Sequence, residues 1–250
     1  MKRILLCGCC GKMGRVITRL VGERDDCLIV AGVDLQEDRE TGAFPVYSSV
    51  DHVEETVDVI IDFSHPSLLS SLLAYAKEHR VPIVLCTTGY TAEQVEELKE
   101  ASQQTAVFYS RNMSIGINLL IELSKKAAQV LGSDFDIEIV EEHHNQKIDA
   151  PSGTALMIAD AIRDSLDSPV SYMYDRHSQR KKREKNEIGI HSIRGGTIVG
   201  EHEVIFAGNN EVIRLSHSAQ SKEVFASGAV NAALFLAEKP AGLYDMSAMV

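Results

Sequence analysis

A glycine-rich segment near the start of the chain has the spacing of a phosphate-binding loop. Gly8, Gly11 and Gly14 form a G-x-x-G-x-x-G pattern directly after a short apolar run. Glycines at such positions let the backbone turn sharply, approach a diphosphate closely and point the N-terminus of the next helix at the anion. Asp34, twenty residues past Gly14 at the end of a second apolar run, can accept hydrogen bonds from ribose hydroxyls. This context predicts a dinucleotide site rather than only a tight turn.

Two polar segments follow later apolar runs and extend this prediction. They are Cys86-Thr87-Thr88 and Ser110-Arg111-Asn112-Met113. Ligands of open α/β sheets bind beyond the carboxyl ends of the strands, so both segments are candidates for the nicotinamide end of the site. An ordinary turn is the alternative, and the residues alone leave it open.

A second group of chemically capable residues lies in the polar stretch 141–155, which reads E-E-H-H-N-Q-K-I-D-A-P-S-G-T-A. It places two histidines and Lys147 in a loop before a helix that opens at Ser152, Gly153 and Thr154. Amides at a helix N-terminus can hold a carboxylate, and a lysine adds a compensating charge. The stretch predicts a site where a substrate anion and a proton donor share one loop.

Other kinds of site fit these residues less well. The pair His143-His144 lacks a third ligand at useful spacing, and the C-x-x-C of Cys7 and Cys10 lacks a second Cys or His pair, so no metal site is predicted. A serine hydrolase is disfavoured because Ser152 lies in P-S-G-T rather than in a G-x-S-x-G turn. An ordinary polar loop without chemistry remains open at this point.

The elements that must position these residues divide into two patterns. Apolar runs at residues 4–7, 28–34, 58–63, 81–87 and 105–109 alternate with amphipathic stretches at 12–23, 66–80 and 92–102. This alternation predicts a Rossmann-like, doubly wound parallel sheet with helices on both faces.

After residue 112 the rhythm changes. Helices are predicted over residues 117–131 and 154–166, and strands over 135–142, 188–193, 197–206 and 211–216, with a hairpin turn at 208–210. Successive strands without helices between them predict an α+β domain with a mostly antiparallel sheet. We therefore expect a dinucleotide-binding domain at 1–112, a second domain at 113–217, and a closing helix at about 222–237.

Composition narrows the function classes. A net charge of −11 over 250 residues disfavours nucleic-acid binding, and the basic run 176–185 is interpreted as a solvated loop because it has no interleaved aromatic residues for base stacking. No apolar stretch is long enough to span a bilayer, and the start of the chain lacks a signal-peptide cleavage pattern, which predicts a cytoplasmic protein. Five cysteines, three of them within four positions, are expected to be free thiols.

Residues 141–155 closely resemble the signature of the 4-hydroxy-tetrahydrodipicolinate reductases, also called dihydrodipicolinate reductases, of bacterial lysine and diaminopimelate synthesis. The similarity extends along essentially the whole chain, including the segments 8–15, 62–64, 87–89, 112–118, 189–202 and 242–246. The resemblance implies reduction of a small dicarboxylate ring by NADH or NADPH. It also implies that residues 218–250 return to the first domain, and that the second domain binds substrate and builds a homotetramer through its sheet.

Site residues carry over from the resemblance position by position. His143 matches the proposed catalytic histidine and Lys147 the proposed proton donor. Substrate contacts are expected at His144, Ser152, Gly153 and Thr154, with Arg194 as a weaker match. Cofactor contacts are expected at Gly8, Cys9, Cys10, Gly11, Lys12, Met13, Asp34, Cys86, Thr87, Thr88, Ser110, Arg111, Asn112 and Met113.

Departures from the family pattern affect the cofactor site. Cys86 stands where many relatives have glycine, and together with Cys9 and Cys10 it predicts a cofactor site sensitive to oxidation. Leu35 stands where some relatives carry an arginine able to pair with a 2′-phosphate, which leaves the choice between NADH and NADPH open.

Two other functions stay open beside the reductase. One is a two-domain oxidoreductase acting on a sugar or an amino-acid semialdehyde. The other is a regulatory protein that senses NAD(P)H without turnover. The His-His-x-x-Lys loop followed by Pro-Ser-Gly-Thr favours the reductase, because a sensor does not need a proton donor beside an anion site.

Overall fold

Twelve strands and six α-helices form two sheets with their covering helices in the computed structural model, which describes residues 1–35 and 43–250. The strands are β1 (Lys2–Cys7), β2 (Cys27–Val33), β3 (Val46–Tyr47), β4 (Val59–Asp62), β5 (Ile83–Leu85), β6 (Ala106–Tyr109), β7 (Asp136–His143), β8 (Ser171–Met173), β9 (Glu187–Arg194), β10 (Glu201–Ala207), β11 (Val212–Ser218) and β12 (Gly242–Tyr244). The helices are α1 (Lys12–Gly22), α2 (Leu69–His79), α3 (Ala92–Ala101), α4 (Ile115–Leu131), α5 (Gly153–Asp164) and α6 (Glu223–Leu236).

The chain divides into two units, one formed by Met1–Ile115 with Glu223–Val250 and the other by Gly116–Lys222. The first contains a seven-stranded sheet of order β12-β6-β5-β4-β1-β2-β3, in which every pairing is parallel. Helices α1 and α6 cover one face, and α2 and α3 cover the other. This confirms the predicted doubly wound parallel fold.

Strand composition explains why this sheet is parallel and buried on both faces. In β1, Ile4 and Leu6 join the core beneath α1 and α6, while Leu5 and Cys7 join the core beneath α2 and α3. All four side chains are fully buried, as a continuous apolar run requires when helices lie on both sides. Each such side chain contributes about 1.5–3 kcal/mol by leaving water.

The position of β1 in the sheet determines where a ligand can bind. β1 pairs with β2 on one side and with β4 on the other, so the chain reverses its direction of progress across the sheet at this strand. Such a switch point opens a crevice at the carboxyl ends of the strands. Gly8, the first residue after β1, lies at this point.

Local signals at helix ends agree with the structure. Thr91 and Gln94 form a capping box at the start of α3: Gln94 N donates to Thr91 Oγ1 and Thr91 N donates to Gln94 Oε1. The expected turn at 208–210 joins β10 to β11 as an antiparallel hairpin. The two- and three-residue strands β3, β8 and β12 were not predicted, because segments so short have no measurable periodicity.

The second unit has a five-stranded sheet of order β11-β10-β7-β9-β8. The pairs β11–β10 and β10–β7 are antiparallel, whereas β7–β9 and β9–β8 are parallel. The α+β class is confirmed, and the mixture arises because α5 lies between β7 and the strands β8 and β9. Helices α4 and α5 pack on one face of the sheet, over a core that includes Ile139, Ile188 and Phe206.

The basic run 176–185 belongs to this unit, and the interpretation as a solvated loop is incomplete. Arg183 pairs with Asp136 and Glu138 and donates to three main-chain carbonyls, and only 18% of its side chain is exposed. Arg176 pairs with Glu138 and Glu187. These two arginines therefore attach the segment to acidic residues of β7 and β9.

Two further findings concern the whole described chain. All five cysteines are free, as expected, and all five are buried. Within residues 1–35 and 43–250, no helix is both long and apolar enough to cross a membrane.

Candidate active site

The glycine loop of the first unit is shaped by close backbone contacts. Gly8 has a φ of 75°, and a Cβ atom there would lie 2.4 Å from the carbonyl oxygen of Phe63. A Cβ on Gly14 would lie 2.3 Å from the carbonyl oxygen of Gly8. Gly11 caps α1 without a side-chain hydrogen bond, so the helix begins with no side chain over its first amides. These features fit a diphosphate held by main-chain N–H groups.

Asp34 is joined to this loop. Its Oδ2 accepts a hydrogen bond from the Cys10 amide at 2.9 Å, which holds the end of β2 beside the turn. Leu35 is 81% exposed and offers no charge for a 2′-phosphate. Gln36 and Arg39, whose side chains are polar and follow Leu35 in the sequence, lie outside the described residues. The described part of the site therefore suits a free ribose diol.

The segment after β5 is organised by a buried carboxylate that sequence analysis did not identify. Asp62, at the end of β4, accepts hydrogen bonds from Thr87 Oγ1 at 2.7 Å and from the Tyr90 hydroxyl at 3.2 Å. Burial raises the pKa of Asp62, although these hydrogen bonds oppose the shift. Thr87 is held in the protein interior, while Thr88 next to it is exposed.

The segment after β6 is equally well held. Asn112 Oδ1 accepts from the Ser114 amide at 2.8 Å, and Ser110 Oγ donates to the Asn112 carbonyl at 2.9 Å. A Cβ on Gly228 of α6 would lie 1.7 Å from the Met113 carbonyl oxygen, so α6 packs directly on this turn. The side chain of Arg111 in this segment is exposed, and so is that of Lys12 at the start of α1.

Cys9 and Cys86 in this region are protonated thiols. Burial, followed by the neighbouring Cys10, raises the pKa of Cys9 to about 12, and burial raises the pKa of Cys86 well above its ordinary value. Because the thiolate is the form that reacts with oxidants, these shifts argue against the predicted sensitivity to oxidation.

In the second unit, the buried face of strand β7 leads from the hydrophobic core to the candidate site. Ile137 and Ile139 face the core, and the next two positions on the same face are Glu141 and His143. Because side chains alternate along a strand, the core face of β7 becomes a polar, buried face at its carboxyl end.

Glu141 is fully buried and binds three partners. Oε2 accepts from His143 Nδ1 at 2.6 Å and from Arg194 Nη1 at 2.8 Å. Oε1 accepts from Arg194 Nη2 at 2.7 Å and from the Ser152 amide at 3.1 Å. Burial by itself would raise the pKa of Glu141, but hydrogen bonds, led by that of Arg194, lower it to about 2. The carboxylate is therefore ionised.

His143 is neutral, and its hydrogen bond to Glu141 assigns its tautomer. Burial lowers the pKa of His143 and outweighs the opposite effect of Glu141. Since Glu141 is an ionised acceptor, Nδ1 carries the proton and Nε2 is an acceptor. Nε2 faces Gly200, where an added Cβ would lie 3.1 Å from it, so only glycine leaves space beside this atom.

The start of α5 is capped by Ser152. Its Oγ accepts from the Ala155 amide at 3.1 Å and lies 3.0 Å from His202 Nε2. Its amide donates to Glu141, so both polar groups of Ser152 have partners inside the unit. Gly153 is exposed, with open space around its Cα. These contacts support a capping role for Ser152, and the expected substrate contacts at Gly153 and Thr154 stay predictions.

Lys147 lies in the loop between β7 and α5. Its Nζ is 2.8 Å from Asp149 Oδ1, and the two side chains are 21% and 54% exposed. Its charge contributes to the lowered pKa of His143, and its main-chain amide donates to the carbonyl of His144. Arg194 Nη2 donates to the Asp149 carbonyl at 2.6 Å, which attaches the loop to the Glu141 cluster.

Arg194 has its donors turned to the protein rather than to an open surface. Besides Glu141 and Asp149, it donates to the carbonyl of Ile193. Its expected role as a substrate contact stays a prediction. The observed contacts show that Arg194 holds the Glu141 carboxylate and the loop at Asp149 in position.

Sequence analysis missed Glu141, Asp62 and His202. Glu141 precedes His143 by two residues on a predicted strand, so the alternation was a usable signal. Asp62 ends an apolar run, which was a weaker signal. His202 lies fifty residues from its partner Ser152, and no local pattern relates the two.

Comparisons with known proteins cover the whole chain. Residues 2–113 match the family model for the N-terminus of dihydrodipicolinate reductase, and residues 116–250 match the model for its C-terminus. The 4-hydroxy-tetrahydrodipicolinate reductase of Clostridium tetani is 50% identical over 250 residues, which are 100% of this chain and 97% of that protein. The same enzyme of Caldanaerobacter subterraneus subsp. tengcongensis is 52% identical over 100% of this chain and 98% of that protein.

Solved structures give the same result. A dipicolinate-bound dihydrodipicolinate reductase from Paenisporosarcina sp. TG-14 is 26% identical, with a TM-score of 0.81 over 98% of this chain and 97% of that one. A myo-inositol dehydrogenase from Corynebacterium glutamicum has a TM-score of 0.60 at 17% identity over 93% and 86% of the two chains, which shows a shared fold alone. The resemblance found in the sequence is confirmed. It is favoured over both alternatives, the NAD(P)H-sensing protein and the oxidoreductase acting on a sugar or a semialdehyde. The chain belongs to the 4-hydroxy-tetrahydrodipicolinate reductase family, oxidoreductases of lysine and diaminopimelate biosynthesis that use NADH or NADPH.

Proposed function

We propose that Lys147 donates the proton in this reduction and that Gly153 and Thr154 hold a substrate carboxylate. His143 orients either Lys147 or the substrate through its Nε2 atom. The observation that carries the proposal is the cluster around Glu141. This one carboxylate joins His143 of β7, Arg194 of β9 and the amide that precedes α5. It fixes the strand end and the helix start relative to each other, as a site for a small rigid substrate requires.

The protonation states support this division of roles. Neutral His143 has its proton on Nδ1, where Glu141 binds it, so Nε2 can accept a hydrogen bond but has no proton to give. Lys147 has three N–H donors and a partly exposed partner in Asp149. Asp149 is exposed, and an ion pair open to solvent on one side contributes about 0–1 kcal/mol, so a dicarboxylate substrate can displace Asp149 from Lys147 at small cost.

The first unit is proposed to hold the dinucleotide. The main-chain amides of the segment 8–13 would bind the diphosphate, and Asp34 would accept from the ribose hydroxyls. When bound, the nicotinamide supplies the hydride. The segments 86–88 and 110–113 are held by Asp62 and by α6, which makes them a preformed surface for the rest of the cofactor.

The carboxylate site can be tested with dipicolinate, the ligand of the solved relative. We expect dipicolinate to compete with the substrate, and Thr154→Val to weaken its inhibition about tenfold, because the change removes a hydroxyl donor at nearly constant volume. Inhibition constants of the parent, Thr154→Val and the exposed control Thr56→Val provide the measurement. An unchanged constant in a folded Thr154→Val protein would move the carboxylate site elsewhere.

We also expect NADH to be used at least as well as NADPH. The Asp34 carboxylate would repel a 2′-phosphate, and Leu35 offers no compensating charge. The values of kcat/KM for both cofactors, measured in the same buffer, test this. A preference for NADPH of about tenfold or more, equivalent to roughly 1.4 kcal/mol, would contradict the argument from Asp34.

Assembly and location complete the proposal. We propose a homotetramer built through the sheet of the second unit, with cytoplasmic location following from the biosynthetic role. Edge strand β11 supports this assembly because it has no fully buried residue and Val212 on it is 53% exposed. Light scattering of the purified protein measures its molar mass, and a monomer at micromolar concentration would contradict the tetramer.

A further inference from the structure

Two thiols and a carboxylate converge at the glycine loop. Cys9 Sγ and Cys10 Sγ lie 3.9 Å apart, and one oxygen of Asp34 lies within 4.8 Å of both. The cysteines are 2% and 8% exposed, whereas Asp34 is partly exposed. In the part of the chain that the structure describes, no other three histidine, cysteine, aspartate or glutamate side chains converge in this way.

The distances match those of a thiolate-metal site. Two sulfur atoms about 2.3 Å from a tetrahedral zinc ion lie about 3.8 Å from each other. The observed separation of 3.9 Å differs from that value by only about 0.1 Å. An oxygen ligand about 2.0 Å from the same ion lies about 3.5 Å from each sulfur. From a starting distance of at most 4.8 Å, the Asp34 carboxylate needs to shift by only about 1 Å.

The backbone holds all three side chains in place before any ion binds. A Cβ on Gly32 of β2 would lie 2.6 Å from Cys9 Sγ, so the absence of a side chain at Gly32 makes the space for this sulfur. Asp34, two residues later on the same strand end, accepts from the Cys10 amide at 2.9 Å. The loop thus presents the two sulfurs, and the end of β2 presents the carboxylate, within 4.8 Å of one another.

We propose that Cys9, Cys10 and Asp34 form a binding site for a soft divalent cation, Zn²⁺ or Cd²⁺, and that the bound ion excludes the dinucleotide. Two thiolates select such ions over Mg²⁺ or Ca²⁺, which prefer sets of oxygen ligands. Each thiol releases its proton to solvent when the cation binds, because a coordinating thiol is deprotonated by the charge of the ion.

Exclusion of the dinucleotide rests on the proposed cofactor placement. In that placement, Asp34 accepts from the ribose and the amides of the segment 8–13 bind the diphosphate. A carboxylate that coordinates the ion is no longer available to the ribose, and an ion between Cys9 and Cys10 occupies the loop itself. The cation is then a competitive inhibitor against NADH and not against the ring substrate.

The ion site is tested directly with Cd²⁺ and the purified enzyme without cofactor. We expect one equivalent to bind, with an ultraviolet thiolate-to-cadmium charge-transfer band, and calorimetry to give its affinity. Cys9→Ala and Cys10→Ala should each weaken binding by at least about tenfold, and Asp34→Asn should weaken it by a similar factor. Cys27→Ala removes a buried thiol at the start of β2, away from the cluster, and should change neither the affinity nor the activity.

The outcomes separate the two parts of the proposal. Absence of the thiolate band, or a band that persists in folded Cys9→Ala and Cys10→Ala proteins, would overturn the ion site. If either alanine variant fails to fold by thermal melting, the corresponding serine variant, with a poor ligand of nearly the same size, replaces it. The KM for NADH is measured with and without Cd²⁺. If Cd²⁺ binds at the two cysteines but leaves this KM unchanged, the ion site stands. Exclusion of the dinucleotide by the ion, and the placement of the dinucleotide at this loop, are then overturned.

Discussion

Lys147→Ala is expected to lower kcat by about 10²–10⁴-fold, because it removes a positioned general acid. The substrate KM should rise as well, since a charged contact to an anionic substrate is lost. The dissociation constant of NADH should hardly change, because the proposed cofactor residues belong to the first unit. Steady-state kinetics and a cofactor titration on the same protein measure all three quantities.

Lys147→Arg separates the two roles assigned to this residue. Arginine keeps the positive charge but does not release a proton near neutral pH, so it should restore much of the substrate KM and little of kcat. Lys182→Ala, at an exposed lysine of the same unit, is the matched control and should change activity by less than about threefold. A folded Lys147→Ala protein with near-normal turnover would exclude Lys147 as the donor, and an equal loss of NADH affinity would indicate general damage.

The sequence was most informative where one residue pattern has one structural outcome. The continuous apolar runs at residues 4–7 in β1 and 59–61 in β4 leave no polar face for water, so a parallel sheet covered on both faces was predictable. The second sheet was less predictable, because strand direction depends on how the chain crosses the sheet. The parallel β7–β9 pair is non-local, and the alternation along each strand does not encode it.

The site shows the same division between local and non-local information. The histidines, Lys147 and the opening of α5 lie within one stretch of sequence, and the family resemblance assigned their roles. The contacts that hold them come from elsewhere in the chain. Arg194 reaches Glu141 across the parallel pair of β7 and β9, and His202 reaches Ser152 from β10. Sequence analysis therefore named candidate reactive groups and missed Glu141, the carboxylate to which His143 and Arg194 are hydrogen-bonded.

Glu141→Gln should lower kcat on the order of 10²-fold or more by reversing the tautomer of His143. An amide NH₂ at the Oε1 position would face two donors, the Ser152 amide and Arg194 Nη2. At the Oε2 position it would face one donor, Arg194 Nη1, and could donate to His143 Nδ1. The second arrangement is favoured, and it moves the ring proton to Nε2. Reversing the tautomer of a catalytic histidine by a carboxylate-to-amide change costs about 10⁴-fold in a serine protease.

Loss of the Glu141 charge also leaves Arg194 without its carboxylate, which should lower the free energy of unfolding by about 3 kcal/mol. The double variant Glu141→Gln/Arg194→Met removes this unpaired charge and should regain stability. It should not regain kcat, because the Ser152 amide still directs the glutamine NH₂ toward His143. Glu142→Gln, at the next position of β7 on the opposite face, is the matched control for kcat and melting temperature. Recovery of kcat in the double variant would show that the unpaired arginine, and not the tautomer, was responsible, and Glu141 would then be a structural residue only.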